Sequence, residues 1–164
     1  KYHNLQNFHS VDADDPFFDG DEVKRSMRLL VGGGYDMVCP TESSSAGGAT
    51  VGYSLTAEVI ARACEGLDEN EDTEMMWSYV ERLAGLKKMV LSDPDEHVVS
   101  ARMTLDYWED YIMLEAVRLI VGSMATRADI AGLLKRNPDL KKINAFRTTE
   151  WSEKQQSKLL KGNS

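Results

Sequence analysis

The hydrophobic and polar positions of this chain fall largely into helical spacing. Residues 21–31 place Val23, Met27, Leu30 and Val31 one helical turn apart, with acids in front and Gly32, Gly33 and Gly34 behind, the start and stop signals of a short helix. Leu55, Val59, Ile60 and Ala63 repeat the spacing over residues 55–65, with Ser54 as cap and Gly66 just past the end. A longer apolar stripe, Met76, Tyr79, Val80, Leu83, Leu86, Val90 and Leu91, predicts a helix over residues 72–91. Asp93, Pro94 and Glu96 form the strongest local signal, a cap, a proline suited to the first helical position and an acid that closes the box. The helix they open runs toward Val121. Its second half, with Trp108, Tyr111, Ile112, Met113, Leu114, Val117, Leu119 and Ile120, is apolar on nearly every side, as expected of a helix surrounded by others, so Trp108, Ile112 and Leu119 are expected in the core. Capping residues Thr126, Asn137 and Thr149 predict three short closing helices.

No segment alternates apolar and polar residues between turn signals as a half-buried strand does. The expected fold is therefore all-α, a compact bundle of about six to seven helices. Residues 1–20 are acidic and aperiodic and predict an extended flexible arm whose Phe17 and Phe18 dock on another chain. Residues 21–164 then form a single helical domain. Within it, residues 32–53 are rich in glycine and serine and predict a long mobile loop, in which no phosphate-binding Gly-x-x-x-x-Gly-Lys occurs.

Charge changes this picture most. The net charge of −8 divides into −13 over residues 1–125, with 23 acids and 10 bases, and +5 over residues 126–164, with 4 acids and 9 bases. A basic section on an acidic body seeks an acidic surface or a phosphate backbone. Lys135, Arg136, Lys141, Lys142 and Arg147, together with Phe17 and Phe18, are accordingly the candidate partner-binding residues. The acids at Asp12, Asp14, Asp15 and Asp19 and those between Asp68 and Glu74 are their candidate counterparts on a second copy.

Catalytic chemistry is less visible. Glu109 and Asp110 are adjacent on a helix and point about 100° apart, so they do not form a dyad. Cys39 and Cys64 have no fixed base beside them in sequence, His97 sits next to Glu96 as a surface histidine would, and no metal-ligand spacing occurs. Two cysteines also make no disulfide framework, and no run of about 18 apolar residues is present to span a membrane. The expectation is a cytoplasmic, non-enzymatic helical module without cofactors that associates with itself or with another protein through its basic section. The alternative is a nucleocapsid-type component that binds RNA or single-stranded nucleic acid through the same bases.

Overall fold

The computed structural model describes residues 4–45, 51–68, 70, 71, 73, 76–94 and 97–161. It corrects the all-α expectation. In chain order the elements are β1 (Asn7–Ser10), α1 (Gly20–Gly33), β2 (Met37–Cys39), α2 (Glu42–Ser45), β3 (Tyr53–Thr56), α3 (Ala57–Ala63), α4 (Met76–Glu81), β4 (Lys88–Val90), α5 (Trp108–Val121), α6 (Arg127–Arg136), a 3-10 turn (Pro138–Ile143) and α7 (Arg147–Lys161). The strands join one sheet in the order β1-β3-β2-β4.

Each strand is three or four residues long, too short to display alternation in the sequence. Their pairing decides them instead. β1 lies antiparallel to β3, with Phe8 opposite Leu55, β3 antiparallel to β2, and β2 parallel to β4, with Val38 opposite Met89. Residues read as an arm thus supply an edge strand. Phe17 does not dock on another chain either: it is 6% exposed, inside the helical core of Met103, Met113, Leu114, Val117, Ile130, Leu133 and Leu134. Phe18 is half-buried.

Adjacent residues of β2 face opposite ways, as a pleated strand requires. Met37 joins Leu55, Val59, Tyr79 and Val80 under α3 and α4, while Val38 joins Leu30, Val51 and Leu91 under α1. The two central strands are therefore covered on both faces, with Met37, Val38, Ser54 and Leu55 buried, while the edge strands β1 and β4 are only partly buried. Ser54 pairs with Val38 and bonds Ser26 of α1, Oγ to Oγ at 2.7 Å, so the sheet–helix contact includes one satisfied hydroxyl pair.

The helices begin where tertiary contacts permit. Thr56, the last residue of β3, caps α3 by accepting from the Val59 N–H at 3.3 Å, so the helix expected from residue 55 starts at Ala57. Of the helix expected over residues 72–91, the described residues form Met76–Glu81; Asp72 and Glu74 lie outside the described residues, and past the helix Gly85 takes a φ of 76° before the chain enters β4. Glu96 lies outside the described residues, as do Met75, Gly47 and Gly48; residues 98–106 that follow are not helical, and α5 starts at Trp108. On α5 only Asp110, Met113, Leu114 and Val117 are buried. Trp108, Ile112 and Leu119 are exposed, against the expectation that they fill the core.

Candidate functional site

Because β1 and β2 both run antiparallel to β3, and β4 runs with β2, the carboxyl ends of β1, β2 and β4 meet at one edge of the sheet. The crevice outside the carboxyl ends of strands is where open α/β sheets take ligands. Three loops leave the sheet here: residues 11–15 after β1, Pro40 to Ser43 after β2, and Leu91 to Asp93 after β4.

The loop after β2 is tied to the loop after β4 through α6. Asp93 accepts from the Ser43 hydroxyl at 2.6 Å, and Arg127 Nη2 lies 2.7 Å from the Asp93 carboxylate and donates to Thr41 Oγ1 at 3.0 Å and to Ser43 Oγ at 2.7 Å. Arg127 is buried. Burial alone would raise Asp93, yet the hydrogen bonds from Ser43, Arg127 and Thr41 and the guanidinium charge hold its carboxyl below the usual range. The Arg127 main-chain N–H donates to Asp19 at 3.0 Å, and the other oxygen of Asp19 caps α1 through the N–H groups of Asp21 and Glu22. One carboxylate thereby joins the starts of two helices. A cavity of about 580 Å³ opens beside this cluster, lined by Ser43, Leu91, Asp93, Val98, Val99 and Ala101.

The loop after β1 is tied to the segment before α5. The Leu105 N–H donates to the Asp14 carbonyl at 2.7 Å, which holds the backbone of Asp14 against the segment that leads into Asp106. Asp106 accepts from Arg102 and, at 2.9 Å, from Thr104, both through Oδ2. Behind it lies a buried charge cluster. Arg102 donates to Asp110 through Nε at 2.9 Å and Nη2 at 3.0 Å, and Asp110 also accepts from the N–H groups of Asp106 and Tyr107 and from the Asn144 amide. The rings of Tyr107 and Trp151 each lie 5.2 Å from the guanidinium of Arg102. Asp110 thus fixes the turn that presents Asp106. Asp14 is half-buried and its carboxylate makes no hydrogen bond or ion pair among the described residues. Partial desolvation of the Asp12 carboxyl, and then the charge of Asp14, push Asp12 upward, which places these two acids within electrostatic reach of each other.

The bases singled out in the sequence lie elsewhere. Lys135 and Arg136 are exposed at the end of α6, Lys142 is paired with Asp139 at 2.6 Å, and Lys141 is half-buried beside Ala145, Thr148 and Trp151. Arg147 is engaged by Glu109 at 3.0 and 3.1 Å and by Glu150 at 2.6 Å, which together raise its affinity for its proton. Local acids therefore occupy much of the positive charge. Phe17 is in the core, remote from any partner surface. Sequence reasoning missed Arg102, Asp106, Asp93, Arg127 and the separate standing of Asp14. A signal existed for Asp14 alone: an acid two to four residues beyond a strand end, had β1 been recognised.

Among the described residues no group of three or more His, Cys, Asp and Glu side chains is placed to hold a metal ion, Cys39 and Cys64 are both free, and no helix is long and apolar enough to cross a membrane.

The chain matches no protein-family model and no curated protein. Among solved structures it is similar to a cytidylyltransferase from Leptospira borgpetersenii serovar Hardjo-bovis (strain JB197), with a TM-score of 0.69 at 15% identity over 85% of this chain. The chain spans 60% of the length of that enzyme. At this identity the likeness shows the fold. The expectation of a helical, non-enzymatic assembly or nucleocapsid-type module does not stand, since the all-α bundle on which it rested is absent and the mixed α/β fold that replaces it is one an enzyme uses.

Proposed function

We propose that this chain forms part of a nucleotidyltransferase of the cytidylyltransferase type, with its reacting centre at the loop after β1. The observation that carries the reading is the fold likeness to a cytidylyltransferase, together with the Leu105–Asp14 backbone hydrogen bond that holds the loop carrying Asp14 against the segment leading to Asp106. In such a reaction an oxygen of the acceptor attacks the α-phosphorus of CTP. The bond from that phosphorus to the bridging oxygen breaks, and pyrophosphate leaves with the electron pair.

A triphosphate approaching Asp12 and Asp14 is repelled unless a cation accompanies it. Magnesium is held by one or two carboxylates together with substrate phosphates and seldom by an all-protein cage, so two carboxylates suffice as the protein's share of the donor set. Asp14 has its carboxylate uncommitted among those residues, and Asp106 is bonded only through Oδ2, which leaves Oδ1 for a ligand. When bound there, magnesium would neutralise phosphate charge and polarise the reacting phosphoryl group. Arg102 and Asp110 act as positioning residues, holding Asp106 and the turn that bears it. The buried Arg127–Asp93 pair keeps the loops after β2 and β4 closed on each other and shapes the neighbouring cavity for an acceptor.

The test is release of pyrophosphate from CTP and magnesium by the polypeptide that carries this chain. Asp14→Asn and Asp106→Asn should each lower kcat by about 10–100-fold or more, Asp14→Asn with the thermal midpoint unchanged. A parent protein that neither binds CTP with magnesium nor releases pyrophosphate would refute the reading, as would full activity in Asp14→Asn.

A further inference from the structure

We infer that the outward face of α5 is a self-association surface on which a second copy of this chain docks antiparallel about a two-fold axis. The inference is independent of the proposed chemistry. α5 is apolar on nearly all sides, yet the chain covers only the side bearing Met113, Leu114 and Val117. The opposite side carries Trp108, 69% exposed, Tyr111, Ile112 and Leu119, 70% exposed, one helical turn apart along the whole helix. Trp108 and Tyr111 are stacked on one another with ring centroids 5.0 Å apart, so the face is preformed. Contiguous exposed apolar surface of this kind marks an interaction site.

The occupant is identified by the pattern of charge within the stripe. Its polar members are Glu115 and Arg118, joined by two bonds of 2.6 Å near the middle of the helix. A face with one acid and one base flanked by apolar residues at either end is complementary to itself when turned end for end. An antiparallel copy centred between Glu115 and Ala116 sets Ile112 against Leu119 of the second copy. It also brings Glu115 within one helical rise or two of the level of the second copy's Arg118, so four charges alternate across the axis. A partner of uniform charge would leave either Glu115 or Arg118 facing its own sign. The basic residues of α6 and the 3-10 turn take no part in this surface.

Light scattering on the intact protein across a wide concentration range decides the matter. The expected result is a dimer that dissociates on dilution, and Leu119→Glu should raise its dissociation constant by on the order of tenfold or more while the circular-dichroism melt of the dilute protein stays in place. Glu115→Arg should also weaken the dimer, and Glu115→Arg with Arg118→Glu should restore it. A monomer at every concentration would overturn the inference, whether the face is covered by other parts of the same polypeptide or left open. A dimer indifferent to Leu119→Glu would overturn it too, and failure of the double reversal to recover would overturn the antiparallel pairing.

Discussion

The guanidinium of Arg102 meets the carboxylate of Asp110 side-on, Nε to Oδ1 at 2.9 Å and Nη2 to Oδ2 at 3.0 Å, with the two side chains 4% and 0% exposed. The pair ties the proposed site to folding, because the same guanidinium holds Asp106 and the same carboxylate holds the turn leading into α5. Removing one partner of such a buried pair leaves the other charge uncompensated, at a cost of about 3–5 kcal/mol. Asp110→Ala is expected to lose that much stability in urea denaturation. Arg102→Met with Asp110→Leu should recover a substantial part, since neither fully buried charge is left and the Asp106 carboxylate that loses Arg102 is partly exposed. A loss below about 1 kcal/mol for the single variant would show that the cluster is not a closed unit.

Gly52 couples β1 to β3 by close approach. Its φ is 74°, and a Cβ there would lie 2.3 Å from the Ser10 carbonyl oxygen and 2.9 Å from the His9 imidazole. Ser10 is held in register opposite Tyr53 and cannot retreat without opening the sheet edge. Gly52→Ala should therefore destabilise the chain by at least about 1–3 kcal/mol, read as a lower denaturation midpoint, whereas Gly66→Ala, with open space around its Cβ, should bear only the positive-φ part of that cost.

Stability should fall in acid in two stages. His9 donates from Nε2 to the Val51 carbonyl at 2.5 Å and shares a hydrogen bond with Ser54 Oγ through Nδ1 at 2.8 Å, and burial lowers its proton affinity more than the Val51 carbonyl restores it. With its folded value below 6.5, the contribution of neutral His9 is present above about pH 6.5 and is lost as pH falls through that value. Asp93 is likewise depressed below 3.8, so its contribution is present above that pH and lost as pH falls through the still lower folded value. Denaturation midpoints followed from neutral to acid should show both stages in the parent and the lower one alone in His9→Gln. An identical upper stage in His9→Gln would assign it to another group.

The two faces of the chain's most apolar helix and its sheet can be told apart by truncation. Leu55 is fully buried between α3, α4 and the sheet, so Leu55→Ala should cost about 2–5 kcal/mol. Leu119→Ala, measured at dilution on the monomer, should stay within about 0.5 kcal/mol of the parent. Equal costs would return Leu119 to the core.

How far each feature could be read from the sequence depended on whether its cause was local. The Thr126 box with Asp129 forms as its spacing predicts, with the Thr126 hydroxyl accepting from the Asp129 N–H at 3.2 Å, because every atom involved lies within one turn. The end of α1 near Gly34, at a φ of 63°, is local in the same sense. β1 to β4 were not legible, because three or four residues carry no period and each strand is defined by a partner distant in sequence. Periodicity also said that residues 108–121 were apolar all round, which is true, but not which side this chain covers; that depended on α6 and Phe17 packing against Met113 and Val117. The candidate site lay furthest from view. Asp14, Asp106 and Arg127 carry no motif along the chain and Asp93 reads there as a helix cap; only parallel strand ends, the Arg127–Asp93 pair and a hydrogen bond from Leu105 to Asp14 bring these loops to one edge. A sequence determines its short-range caps and turns through contacts a few residues apart, whereas charges that converge from distant positions acquire a role only when the tertiary fold removes the water and the chain between them.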